Sequence, residues 1–368
     1  MAAGFMLAPS GSRDPLVPFP PSTSTPVSPP VLTASYTARD IVASCPLNDP
    51  AATACVSRAL GGVADTGSWA SALALLLEVM EAEPGLYAKC HTIAHKLGHM
   101  ASSELSLEDM VAADPGTCGD GFTHGWVSGS ASQGNLDDLV AANSALCESE
   151  GSRQRYVSSK QGAFFKGSCS HGLGHAVYQA VPFDFLGGIE RCRQLREVGE
   201  WEEGKCISGL LMAFGTKEPI LSGGTPLDLD GRTVAAACES MDGEAARECW
   251  HNTQYFFFGD SRGLAGVCAT ASNVECDGGL GYLLYQESKF AVKDATAACV
   301  PLTAGLALSG CLRGVLYADW RFALQSGEDL DTWRPDCNSL IPAARDLCDS
   351  DFATFLSDYK QGDGFDNG

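Results

Sequence analysis

Apolar residues along this chain gather into short stretches, each closed by a polar turn. In TVAAACESMDGEAARECWHNTQYFFFG an Ala-rich stretch ends near Cys238, Asp242 and Gly243 make the turn, and a second apolar stretch starts at Cys249. ATAACVPLTAGLALSGCLRGVLYADW repeats the plan with Cys299 and Cys311. This patterning predicts antiparallel helical hairpins. The longest apolar stretch, around Ala70 to Val79, has the length of a core helix and is too short to span a bilayer.

The cysteines mark the same units. There are sixteen, and no two are spaced as a Cys-x-x-Cys knuckle, so zinc ribbons, iron–sulfur runs and c-type haem attachment lack their signatures. A disulfide framework remains, and with it an oxidising compartment, secreted or lumenal. In chain order the couples are Cys45 with Cys55, Cys90 with Cys118, Cys147 with Cys169, Cys192 with Cys206, Cys238 with Cys249, Cys268 with Cys276, Cys299 with Cys311, and Cys337 with Cys348. Pairing between neighbouring repeats is the alternative connectivity. The later cysteine of most couples opens a Cys-x-x-Gly-apolar signature (CGDGF, CSHGL, CISGL, CDGGL, CLRGV) whose glycine permits close helix approach. Cys249 and Cys348 depart from it, with Asn252 and Asp351 at the glycine position. The expected fold is all-α: an irregular array of disulfide-stapled helical hairpins, α-solenoid or toroid-like.

Composition bounds the array. Eight of the eighteen prolines fall in the first forty residues, so 1–40 reads as a Pro/Ser/Thr-rich linker or processed segment. The stretch MAAGFMLA before it is compatible with the end of a truncated signal or anchor, although it is short and lacks the basic region of a signal peptide. Residues 41–358 make the repeat domain and 359–368 an acidic tail. The net charge of −21, without a basic run, excludes nucleic acid and anionic membrane as natural partners.

The histidines break the repeat. Six of seven lie between His91 and His175. Six residues after the signature cysteine the early repeats carry His124 and His175, where later ones carry Met212, Tyr255, Tyr282 and Tyr317. The scaffold repeats, and the histidines do not.

CHTIAHKLGHM sets His91, His95 and His99 four apart, and CSHGLGH does the same for His171 and His175. Residues four apart on a helix share a face, so either pair can offer two imidazoles to one ion. His91 and His99 are about 12 Å apart along the axis, too far to share one ion. With His124 the set His91, His95, His99, His124, His171 and His175 supplies enough nitrogen for one four-coordinate ion or for two bridged ions. Zinc, copper and iron all suit such ligands.

Thr92 occupies the place where a His-Glu-x-x-His protease needs its base, and none of the six clustered histidines closes a Glu-x-x-His. Asp120, Glu104 and Glu287 are the carboxylates read as possible partners of the imidazoles. A redox or hydrolytic metalloenzyme is the first functional expectation. A metal-storage or structural module, with a protein partner on the later repeats, is the second.

The string CHTIAH, GFTHGW and CSHGLGH, followed by Cys-x-x-Gly repeats, resembles a group of extracytoplasmic Cys/His repeat proteins over roughly Cys90 to Cys348. The resemblance implies that His91, His95, His124, His171 and His175 act as one set. It implies no reaction.

Overall fold

The computed structural model describes residues 36–45, 52–83, 86–114, 117–132, 136–148, 162–218, 220, 225–325 and 332–361. The first thirty-five residues and the last seven, which hold most of the expected linker and tail, lie outside them. Among the described residues every regular element is helical.

The helices are α1 (Ala38–Ser44), α2 (Ala52–Thr66), α3 (Trp69–Ala82), α4 (Tyr87–Ala101), α5 (Leu107–Ala113), α6 (Thr117–Ser132), α7 (Leu139–Leu146), α8 (Gly162–Ala180) and α9 (Phe185–Arg193). They continue with α10 (Glu200–Gly215), α11 (Gly231–Glu239), α12 (Gly243–Asn252), α13 (Ser261–Ala271), α14 (Val274–Glu287), α15 (Val292–Cys299), α16 (Leu306–Gln325) and α17 (Pro342–Gln361). Side-chain caps start many of them. Thr37 closes a capping box on α1, and Ser68, Ser106, Asp138, Asp184 and Asp260 each accept a first-turn N–H.

All eight disulfides join the couples expected from chain order. Most of them staple a short helix to the longer one that follows: α7 to α8, α9 to α10, α11 to α12, α13 to α14, and α15 to α16. Closing loops of this size stabilises by about 3 kcal/mol each in the chain-entropy picture. Cys90–Cys118 differs, because α5 lies between its two cysteines and the bond ties α4 directly to α6.

The cysteine-bearing helices α4 to α16 with even numbers form one row: α4 packs on α6, α6 on α8, α8 on α10, α10 on α12, α12 on α14, and α14 on α16, which also touches α6. Glycine brings their backbones together. A Cβ at Gly125 would overlap the His95 carbonyl, and one at Gly209 would overlap the His171 carbonyl. Gly209→Ala is therefore expected to lower unfolding stability by about 1–3 kcal/mol. Gly266→Ala in α13, where an added Cβ would meet no neighbouring element within 4 Å, should be neutral or stabilising by about 0.4–1 kcal/mol. Urea midpoints of the two oxidised variants check both.

Candidate metal centre

The close approach of α4, α6 and α8 brings five imidazoles into one cluster. His91 and His95 come from α4, His124 from α6, and His171 and His175 from α8. Ring centroids are 5.1 Å apart for His91–His124, 4.4 Å for His124–His171, 5.0 Å for His171–His175 and 4.4 Å for His95–His175. His124 and His175 stack at 6.0 Å. The cluster is internal: His175 is fully buried, and His95, His124 and His171 are buried with it.

The His-x-Leu-Gly-His pattern serves two needs at once. His95, His171 and His175 face the cluster, Leu97 and Leu173 enter the core with no exposure, and Gly98 and Gly174 admit the neighbouring backbone.

Several of these nitrogens have no hydrogen-bond partner although they are shut off from solvent: Nε2 of His91, His95 and His171, and Nδ1 of His124. Leaving a buried polar atom unpaired costs about 1–3 kcal/mol, so such a concentration needs a reason. At His91 the tautomer is set by geometry. Its Nδ1 lies 3.0 Å from the Cys118 carbonyl, an acceptor, so Nδ1 carries the proton and Nε2 presents a lone pair. Cys118 belongs to a run with Gly119 and Asp120 in which all three residues have left-handed φ, before α6 proper begins.

Electrostatics keep these rings neutral. Burial, helped by the nearby His175, takes His91 down to about 4. Burial takes His95 to about 3 against the opposing pull of Glu218. His124 and His171 fall well below the usual histidine value, chiefly by burial and then by the neighbouring imidazoles. Neutral imidazole is the ligating form.

A carboxylate completes the cluster, and it is Glu218. Its Oε1 is 2.8 Å from His175 Nδ1 and 3.9 Å from His95 Nε2. Burial pushes its pKa up, but the His175 and His95 imidazoles outweigh that and hold the group at about 2.

Glu218 lies just past the end of α10, and a local motif places it. Lys217 adopts left-handed φ of 53°, its N–H reaches the Phe214 carbonyl, and the Glu218 N–H reaches Ala213, as in a Schellman cap. Tyr178 of α8 donates to the Glu218 carbonyl at 2.6 Å. The carboxylate is thus aimed by both helices that flank it.

Two trios of ligand atoms lie within 4.8 Å of one another: His91, His124 and His175, and His95, His175 and Glu218. His99 shares α4 but sits a turn farther on, beside Gly129, outside both trios. His251 is set apart on α12, its ring edge-on to Tyr282 at 6.4 Å.

The carboxylates picked out from the sequence lie elsewhere. Asp120 accepts from Ser168 at 2.6 Å, Glu104 accepts from the Trp69 indole at 3.1 Å, and Glu287 is exposed. The register position occupied by His124 and His175 continues as aromatic packing in the last repeats. Tyr317, for example, lies against Trp320 and Phe355 at 5.2 and 5.6 Å.

No family model, curated protein or solved structure matches this chain.

Proposed function

We propose that this chain is a disulfide-stapled protein of an oxidising, extracytoplasmic compartment that holds a transition-metal ion at His91, His124 and His175, with His171 beside them. One observation carries the reading: imidazoles from three separate helices converge with buried, unpaired nitrogens. A cation turns those orphaned acceptors into bonds, and the Cys118 carbonyl behind His91 supplies the outer support that ligating histidines need. Zinc, copper and iron fit a set of imidazoles with one carboxylate. Thiolate ligation has no donor, since all sixteen cysteines are in disulfides. Eight disulfides are typical of chains that fold outside reducing compartments.

Glu218 supports a redox or hydrolytic enzyme, because a carboxylate beside the ligands is within reach of a metal-bound group that it can orient. The full burial of His175 favours the second reading, a closed storage or structural site. Elemental analysis of the oxidised, dialysed protein is expected to give at least one zinc, copper or iron per chain. Replacing His91 and His124 together by alanine should remove the ion they hold and lower the content by one per chain, whereas a wild-type chain without stoichiometric metal would end the proposal. Added azide separates the two readings: it should perturb the visible spectrum of the copper(II) form at an open catalytic site and leave a closed one unchanged.

A further inference from the structure

His175 stands in both trios at once. Its ring touches His171 and His124, while its Nδ1 lies 2.8 Å from Glu218 Oε1. The same oxygen is 3.9 Å from His95 Nε2, a buried atom with no hydrogen-bond partner. We infer that the centre is dinuclear: a second divalent first-row cation sits among His95, His175 and Glu218, and the His175 imidazole bridges it to the first. This rests on the metal reading above and adds to it the number of ions and the bridging residue.

The second trio is a built site. Glu218 is fixed from three directions, by the left-handed Lys217 turn, by the Tyr178 hydroxyl on its carbonyl, and by His175 against its carboxylate. His95 is 7 % exposed and enters from α4, its ring 4.4 Å from that of His175. Two donors at about 2.0–2.1 Å from one ion span 2.8 Å at roughly a right angle, so the His175–Glu218 pair suits a square-planar or octahedral ion better than a tetrahedral one.

The protonic balance is simple. In the one-ion state His175 Nδ1 keeps its proton beside Glu218 Oε1, 2.8 Å away but without the alignment of a hydrogen bond. In the two-ion state that proton leaves to solvent, and the second cation takes its place between Nδ1 and Oε1. The rival arrangement keeps the proton and stops at one ion, with Glu218 as an orienting partner only.

Titration of the full, disulfide-intact, chelator-stripped chain with copper(II), followed by elemental analysis and electron paramagnetic resonance, decides between them. Wild type is expected to take two equivalents, and the second should diminish the spin signal of the first through coupling across the shared imidazole. The Glu218→Gln, His95→Ala double variant should stop at one equivalent with an uncoupled signal. Glu218→Gln alone, which keeps a hydrogen-bonding side chain of the same size, should weaken only the second equivalent. A wild-type chain that saturates at one ion would overturn the second site and leave the first standing. A second equivalent untouched by both variants, or uncoupled from the first, would also overturn it. No copper at all would remove both proposals together. Far-ultraviolet circular dichroism and the absence of free thiols establish that each variant is folded.

Discussion

Replacing His175 by alanine is expected to strip the chain of metal, while the same change at His99 leaves the content unaltered. His175 belongs to both ligand trios, so its loss leaves two donors in each, too few to hold an ion against water. His99 shares the α4 face in sequence, but the helical rise carries it away from the cluster. Stability should fall as well. The imidazole is fully buried and lies against the Glu218 carboxylate, so its removal leaves an acceptor without its partner, at a cost of about 1–3 kcal/mol. His175→Gln, which can still reach Glu218 through an amide, should recover part of that stability and none of the metal. Elemental analysis and urea unfolding of the chelator-treated variants check the two effects separately. Metal retained in the alanine variant would show that the imidazoles are packing groups.

The metal-free protein should become steeply less stable between pH 6.5 and pH 4. His91, His95, His124, His171 and His251 all have folded-state values depressed by burial, to about 4 for His91 and His251 and about 3 for His95. Above pH 6.5 these rings are neutral whether the chain is folded or not, and they contribute nothing to the pH dependence. Below it the unfolded chain takes up protons that the folded protein still refuses, so each step down in pH favours unfolding until the folded values are reached. At about 1.4 kcal/mol per pH unit per site, His95 alone removes on the order of 3 kcal/mol by pH 4. Glu218 acts in a lower window. Its value is held at about 2, so the stability it contributes is complete above the ordinary glutamate range near 4.5 and is lost only as pH falls from there. Urea midpoints at pH 7, 6 and 5 in the presence of a chelator measure the slope; a flat profile would mean that the imidazoles titrate freely in the folded state.

How much of this was legible beforehand depended on distance along the chain. Disulfide connectivity could be read because most couples close a short unit whose polar turn is visible, as at Asp242 and Gly243 between Cys238 and Cys249. Cys-x-x-Gly was legible as a packing signature for the same local reason, and Gly209 against the His171 carbonyl shows what it does. The paired spacing in CHTIAH and CSHGLGH pointed to helix faces able to converge, and the rings of His91, His95, His171 and His175 do converge. That His124 meets them follows from the packing of α6 between α4 and α8, which its register position hinted at but could not establish.

Glu218 was out of reach. It lies forty-three residues after His175, outside any helical spacing with a histidine, and is delivered by a left-handed turn at a lysine, which carries no glycine or asparagine to announce it. Asp120, Glu104 and Glu287 drew attention as carboxylates of the histidine-bearing and later repeats, and the fold turns them to Ser168, to Trp69 and to solvent. A stripe of three histidines likewise gives no means of deciding which two face inward. The neighbouring helices decide that.

Metal-edge X-ray absorption on the oxidised wild-type protein loaded with zinc tests the metal centre most directly. The structure predicts a first shell of nitrogen and oxygen at about 2.0–2.1 Å with outer scattering from several imidazole rings, and no sulfur shell at about 2.3 Å. A hydrated ion with at most one imidazole, or a chain that retains no zinc, would contradict it.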